Sequence, residues 1–134
     1  MRLKQISVFL ENRPGMLLQL TGALAAADVN MRALSLAETK DFGIARIIAD
    51  DVEGAMNAIR EAGFVASLTP VLAYAIPDEA GGLNKLLRIF GDAGVNIEYM
   101  YSCLFPGDDS KAVMIFRVAN TQSSEEALKS LGLE

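Results

Sequence analysis

The first part of the chain alternates between apolar and polar positions and then changes to apolar positions at helical spacing. Residues 3–10 alternate, and one face of this predicted strand carries Ile6, Val8 and Leu10. Pro14 is suited to the first position of a helix, because the N–H group that proline lacks has no helical partner there. Apolar residues then recur every three or four positions, which predicts a helix that ends near Asp28.

The following segments predict a hairpin, a second helix and a further strand. Residues 29–49 contain two extended apolar stretches separated by a polar turn. Asp50 or Asp51 is placed to cap the second helix, and Gly63 suits the position just after its end. A short strand over 64–69 completes the order βαββαβ.

The second half of the chain repeats the first half. Val29-Asn30 returns as Val95-Asn96, and the residues that precede each pair match at an offset of 66. The offset becomes 69 after the turn Pro106-Gly107-Asp108-Asp109, because three residues are inserted there. Two copies of this length predict a duplicated α+β module, since a solenoid needs at least three short repeats to bury its core. We expect one module over 1–69 and the other over 70–134.

The second repeat differs from the first at its end. It opens with a predicted strand over 71–76 and continues to a last helix, but the sequence ends at Glu134, where the fourth strand is due. A missing strand leaves unpaired backbone groups on its neighbour. We therefore expect the neighbouring repeat or a second chain to cover that edge.

Composition and charge exclude several functions. The net charge of −5 and the pI near 4.7 argue against nucleic acid and anionic membranes as partners. The chain has one cysteine, Cys103, and neither a secretory signal pattern nor a long apolar run, so we expect a cytoplasmic protein. Histidine is absent, which removes the commonest general base and metal ligand. We expect no metal, no cofactor and no catalytic activity; an acylphosphatase-like hydrolase is the enzyme alternative.

The turn between the first strand and the first helix is the candidate binding site. The first turn of a helix offers unpaired N–H groups and a partial positive charge, both of which suit a carboxylate. The amide of Asn30, at the end of the same helix, suits an ammonium group, and a free amino acid carries both groups. Gly15 and Gly81 allow a ligand to approach the backbone without a Cβ in the way.

The residues of this turn also resemble a known family. Phe9-Leu10-Glu11-Asn12-Arg13-Pro14-Gly15-Met16-Leu17, followed after a helix by Val29-Asn30-Met31, resembles the opening of an ACT domain and is similar to the regulatory domain of D-3-phosphoglycerate dehydrogenase. The resemblance implies two tandem ferredoxin-like βαββαβ modules, with helices on one face of antiparallel sheets that join side by side into an eight-stranded sheet. It further implies that an amino acid or similar metabolite binds between modules, that the protein is a homodimer and that it regulates an enzyme of amino-acid metabolism.

The same resemblance defines the candidate ligand-binding residues. In the first repeat they are Asn12, Arg13, Pro14, Gly15, Met16, Leu17 and Asn30. In the second repeat they are Asp78, Ala80, Gly81, Gly82, Leu83 and Asn96. The chain departs from the dehydrogenase pattern at Leu10, where a histidine is expected, and at Asp78, which would repel a carboxylate. We therefore expect the two turns to differ in function.

Three alternatives follow from the same residues. Asn12 is also typical of the turn at the end of a strand. Asn30 and Asn96 are typical of a helix-to-strand junction, where the asparagine side chain forms a hydrogen bond with the backbone. The alternative to a sensor is a non-catalytic subunit that contacts an enzyme and binds no ligand itself. Tyr99 and Tyr101 could stack on RNA bases, but the acidic charge argues against this.

Overall fold

The structure is a computed structural model that describes residues 1–38, 41–105, 107 and 109–133, with only the backbone at Glu38. Pro106 and Asp108, at the predicted insertion, lie outside the described residues. The elements are β1 (Arg2–Glu11), α1 (Met16–Ala26), β2 (Met31–Glu38), β3 (Phe42–Ala49), α2 (Val52–Glu61), β4 (Val65–Pro77), α3 (Gly82–Asp92), β5 (Ile97–Cys103), β6 (Lys111–Val118) and α4 (Thr121–Ser130).

These elements form two compact units. The first unit is Lys4–Thr69, and the second unit is Met1–Leu3 together with Pro70–Glu134. Strands β1 and β4 each contribute residues to both units.

In the first unit the strands are ordered β2-β3-β1-β4, so β2 lies at an edge. β3 pairs antiparallel with β1, where Ile6 is opposite Ile47, and with β2, where Leu36 is opposite Ala45. Alternate residues of β1 and β3 pack against both helices, because side chains two apart on a strand share a face. The core residues are Ile6, Val8, Leu10, Leu20, Leu24, Val29, Ala45, Ile47, Ala49, Ala55, Met56 and Ile59.

The second unit has the strand order β4-β6-β5, again antiparallel. Its core is aromatic at the centre: the rings of Phe90 and Phe116 lie 4.7 Å apart, and Tyr74 meets Phe90 edge to face at 5.9 Å. Helices α3 and α4 contribute Phe90 and Leu128 to this cluster. Both helices therefore cover the same face of the strands, as in the first unit.

Residues 1–3 lie where the second unit lacks a fourth strand. The N–H group of Ala73 donates to the oxygen of Met1 at 2.8 Å, and the nitrogen of Met1 donates back to the oxygen of Ala73 at 3.2 Å. Arg2 forms an ion pair of 3.0 Å with Glu125 of α4. Among the described residues no strand follows α4, so the beginning of β1 pairs with the edge that the repeat pattern left open.

The predicted α+β fold of tandem ferredoxin-like modules is confirmed, but the strand count is different. The described residues contain six strands and not eight. The predicted strands over 64–69 and 71–76 are one strand, β4. Pro70 does not interrupt it, because the residue before a proline favours extended backbone, and Arg117 of β6 donates to the oxygen of Pro70 at 2.9 Å.

The beginning of α1 also differs from the prediction. The helix begins at Met16, so Pro14 lies in the preceding turn and not at the first helical position. Gly15 is the residue before the helix and has φ of 86°, which only glycine adopts without strain. The predicted helix cap at Asp51 is confirmed, because its side chain accepts a hydrogen bond from the N–H of Gly54 at 3.0 Å.

Candidate functional site

The turn after β1 borders a cavity in the first unit, which we call the corner pocket. Its volume is about 250 Å³. The residues that line it are Leu10, Glu11, Asn12, Arg13, Met16, Leu17, Leu36 and Gly43. The structure thus brings four of the predicted ligand-binding residues, Asn12, Arg13, Met16 and Leu17, to one cavity. Pro14 and Gly15 belong to the same turn but do not line it.

Four lining residues were not predicted. Leu10 and Glu11 are the last two residues of β1. The alternation of apolar and polar residues along this segment predicts only a strand. Leu36 and Gly43 come from β2 and β3, and the sequence carries no local signal that they face the turn. A Cβ at Gly43 would lie 3.3 Å from Cδ1 of Leu36, so the glycine leaves room beside that side chain.

The beginning of α1 supplies hydrogen-bond donors to the corner pocket. The N–H of Gln19 donates to the oxygen of Gly15 at 3.0 Å. The N–H groups of Met16, Leu17 and Leu18 precede it in the helix and have no helical acceptor. No side chain caps this terminus, and its first turn has no acidic residue. The terminus is therefore suited to a carboxylate, which the helix dipole also favours.

The walls of the corner pocket are partly apolar and partly charged. Leu10 and Met16 are buried, whereas Leu36 is 53% exposed. At the rim, Nε of Arg13 lies 2.8 Å from Oε2 of Glu11, and both side chains are more than half exposed. An exposed ion pair of this kind contributes at most about 1 kcal/mol. The rim can therefore rearrange at little cost when a ligand enters.

Asn30 lies at the far end of α1 from the corner pocket. Its N–H donates to Oδ1 of Asp50 at 3.1 Å, and its oxygen accepts from the N–H of Asp50 at 3.1 Å. Helix α1 has 11 residues, and a helix of that length is about 16 Å long. The first unit by itself therefore does not bring Asn12 and Asn30 together.

The second unit repeats the turn with different surroundings. Gly81 has φ of 86°, as Gly15 has. The N–H of Asp78 donates to the oxygen of Ser110 at 2.8 Å, and a Cβ at Gly82 would clash with the oxygen of Pro77. Of the predicted residues in this turn, Asp78 lines a cavity of about 480 Å³ at the tip of the β5–β6 hairpin. Ala80, Gly81, Gly82 and Leu83 do not line it.

Asn96 is separated from this turn as Asn30 is from the first one. It lies beyond the end of α3 and lines a different cavity of about 200 Å³ together with residues at the start of α4. Its oxygen accepts from the N–H of Ala119 at 3.3 Å. Ala119 stands where the first unit has Asp50, so the N–H of Asn96 has no equivalent of the carboxylate that holds Asn30.

Two further observations concern metals and membranes. Within the described parts of the chain, no three side chains of Cys, Asp or Glu come together in a way that could hold a metal ion. None of the helices there has the length and apolar content of a membrane-spanning helix.

The fold and the comparisons together define the class of protein. Two ferredoxin-like units in tandem, each with a glycine turn between its first strand and first helix, form a pair of small regulatory modules. The chain belongs to the ACT family: the model described as "ACT domain pair" matches residues 1–133. Domains of this class are regulatory and non-catalytic. None of the curated proteins matches the chain. The narrower resemblance to the dehydrogenase domain stays a prediction.

Solved structures include similar chains over nearly the full length. Protein BT0572 from Bacteroides thetaiotaomicron is 37% identical, with a TM-score of 0.89, and the match covers 100% of this chain and 91% of that one. The regulatory subunit of aspartate kinase from Thermus thermophilus, in its ligand-free form, is 18% identical with a TM-score of 0.68, and 96% and 89% are covered. The same subunit from Thermus flavus is 18% identical with a TM-score of 0.62, and the match again covers 96% of this chain and 89% of that one. The two Thermus matches show the shared fold.

Proposed function

We propose that this protein senses a free amino acid or a similar small metabolite in the cytoplasm, and that the corner pocket holds the ligand. The observation that carries the proposal is that a polar surface and an apolar surface meet in the corner pocket. Unpaired N–H groups at the start of α1 lie beside the apolar side chains of Leu10, Met16 and Leu36. Family membership supports it, because ACT domains bind small amino-acid ligands.

The ligand's carboxylate would accept hydrogen bonds from the N–H groups of Met16 and Leu17. Its side chain would pack against Leu10 and Leu36. A bond from a neutral N–H group to a carboxylate is stronger than one between two neutral groups, so the carboxylate would fix the ligand's orientation. A small ligand of this kind binds with micromolar to millimolar affinity, as a metabolite sensor requires.

We further propose that Asn30 of a second copy completes the site. Asn30 lies at the opposite end of α1, so a twofold arrangement of two first units would place this residue of one copy near the corner pocket of the other. Strand β2 is an edge strand, and Leu34 and Leu36 on it are 39% and 53% exposed. Exposed edges with apolar side chains favour pairing. The homodimer is part of this proposal.

The regulatory output would follow from the same arrangement. A ligand that contacts both copies stabilises their association, and by linkage association must strengthen ligand binding equally. The solved relatives that are regulatory subunits of aspartate kinase suggest an enzyme of amino-acid metabolism as the partner. The exposed β2 edge also supports a second candidate, a non-catalytic subunit that docks on an enzyme without binding a ligand itself.

The first experiment is a thermal-shift screen with the twenty amino acids. A ligand that binds only the folded state must raise the melting temperature, by an amount that grows with ligand concentration. A reproducible shift with one amino acid or a related group supports the sensor. No shift at about 10 mM of any amino acid, a concentration above the expected Kd, contradicts it and favours the docking subunit.

Variants then locate the binding site by calorimetry. Asn12→Ala and Asn30→Ala should each weaken binding about tenfold or more, which corresponds to the loss of one hydrogen bond to a charged group. Asn57→Ala is the matched control, because Asn57 is an exposed asparagine on α2 that does not line the corner pocket. Unchanged affinity in both test variants would reject the proposed site. Sedimentation with and without ligand tests the dimer.

A further inference from the structure

The second unit contains a larger cavity at the tip of its β5–β6 hairpin, which we call the hairpin pocket. Its volume is about 480 Å³, within the range of small-molecule sites. The lining residues that matter here are Ala75, Asp78, Cys103, Asp109, Lys111 and Val113. The corner pocket and the hairpin pocket belong to different units and share no residue.

The floor of the hairpin pocket is apolar and made of small side chains. Val113 of β6 lies opposite Ala75 of β4 on one side and opposite Cys103 of β5 on the other. The three side chains therefore share one face of the strands, opposite to the face on which Tyr74 and Ile76 join the aromatic core. Cys103 is 5% exposed. This floor suits an aliphatic chain.

The rim of the hairpin pocket is charged. Lys111 lies opposite Pro77 in the strand pairing, which places it next to Asp78, and Asp109 precedes it in the turn. Among the side chains that the structure describes, no carboxylate lies within 4.0 Å of the ammonium of Lys111. Two carboxylates and one ammonium therefore border the same cavity without pairing.

The first repeat shows that this arrangement is specific to the second. The positions of Ala75 and Lys111 are held there by Phe9 and Phe42, which are large and uncharged. Asn12 stands in place of Asp78. The second repeat thus has the small Ala75 where the first has Phe9, and its charged residues Asp78 and Lys111 stand where the first has uncharged ones. The second repeat therefore combines the space beside Ala75 with the charges of Asp78 and Lys111.

We propose that the hairpin pocket binds a small diamino acid, which carries one carboxylate and two ammonium groups. The carboxylate would pair with Lys111, the two ammonium groups with Asp78 and Asp109, and the aliphatic chain would lie on Ala75 and Val113. The charges of the rim and of such a ligand are complementary in number and sign. Binding here does not depend on the corner pocket, so either proposal can fail while the other holds.

The probe is L-ornithine, measured by calorimetry with the full chain. Two relatives of the probe each lack one group: L-norvaline lacks the second ammonium, and putrescine lacks the carboxylate. We expect saturable binding of ornithine, and binding of the other two that is weaker by about 10 to 100-fold, as for the loss of a charged hydrogen bond. No ornithine binding up to about 10 mM, or displacement of bound ornithine by norvaline at equal concentration, would overturn the proposal.

Variants test the position of the site. Ala75→Phe introduces the residue of the first repeat and should abolish ornithine binding, whereas Ala75→Ser keeps the space and should retain it. Lys111→Gln should weaken binding at least tenfold, and Lys129→Gln on α4 is the matched control. Asn57→Ala, in the other unit and outside both pockets, should leave ornithine binding unchanged. Equal affinity for ornithine in Ala75→Phe and Ala75→Ser would contradict the proposed site.

The single cysteine gives a second measurement that needs no variant. Cys103 lies in the floor, so bound ornithine should slow its reaction with a maleimide, and norvaline at the same concentration should not. A reaction rate that ornithine leaves unchanged at saturation would place its binding elsewhere and overturn the proposal.

Discussion

The two units share their backbone but not the side chains around their turns. Gly15 and Gly81 both have φ of 86°, and Val29 and Val95 make the same backbone bond to the preceding helix, each at 3.0 Å. Where a cavity meets the turn, the residues differ in size and charge. The glycine and valine positions that determine the chain path have therefore kept their residue type after duplication, whereas several positions that line the two pockets have changed. The difference is what two binding sites of different specificity, as proposed above, would require.

Substitutions in the two cores have the largest expected effect on stability. Phe90 is buried against Tyr74 and Phe116, whereas the corresponding Leu24 packs among aliphatic residues. We expect Phe90→Ala to lower the free energy of unfolding by about 3–5 kcal/mol and Leu24→Ala by about 2–5 kcal/mol, because both leave a cavity. Urea titration of both variants measures this. A loss below about 1 kcal/mol for Phe90→Ala, less than any buried phenylalanine should cost, would contradict the aromatic core.

The turn glycines should show equal effects in the two units. Gly15→Ala and Gly81→Ala each place a Cβ at a positive φ, which costs roughly 1–2 kcal/mol. Gly22→Ala and Gly91→Ala are matched controls within α1 and α3, where alanine favours the helix and should stabilise by about 0.5–1 kcal/mol. Thermal denaturation of the four variants tests whether each substitution stabilises or destabilises the protein. Destabilisation by the helical variants and not by the turn variants would refute the shared turn conformation.

High pH should affect the second unit through one buried tyrosine. Burial and, to a smaller extent, the negative charge of Glu125 together raise the pKa of Tyr74 to about 12. The unfolded value is near 10, so the folded state holds the proton more tightly. The stability that Tyr74 contributes is complete below about pH 10 and is lost as the pH rises through the folded pKa of about 12.

Tyr74→Phe should remove this dependence. Between those pH values the wild type should lose on the order of 1 kcal/mol more stability than the variant. Melting curves of both proteins across this range give the comparison. Parallel pH profiles for the two would show that Tyr74 ionises as easily in the folded state as in the unfolded chain.

The smallest effect is expected at the rim of the corner pocket. Arg13→Ala removes the ion pair with Glu11, and both side chains are exposed, so stability should change by less than about 1 kcal/mol. The variant should therefore report on ligand binding and not on folding. A large loss of stability in urea titration would show that Arg13 supports the turn itself.

The sequence predicted the repeat, the order of elements and the turn, because these depend on local periodicity and on glycine and proline. It did not predict that β4 is continuous through Pro70, since proline usually indicates a break. It also missed Leu36 and Gly43 in the corner pocket, because they reach the turn only through the pairing of β2 with β3 and β1. Such contacts, between residues far apart in the sequence, depend on strand order, which the local pattern does not encode.

The anchoring of Asn30 has a consequence for how this family can evolve. Asp50 holds the main chain of Asn30 through one bond to its nitrogen and one to its oxygen. Neither bond uses the carboxamide, so another residue type could occupy the position without altering the strand that follows. If Asn30 contacts the ligand as proposed, a lineage that no longer binds it would be under no structural pressure to retain asparagine there. The residue at this position in related chains would then record whether the contact has been kept.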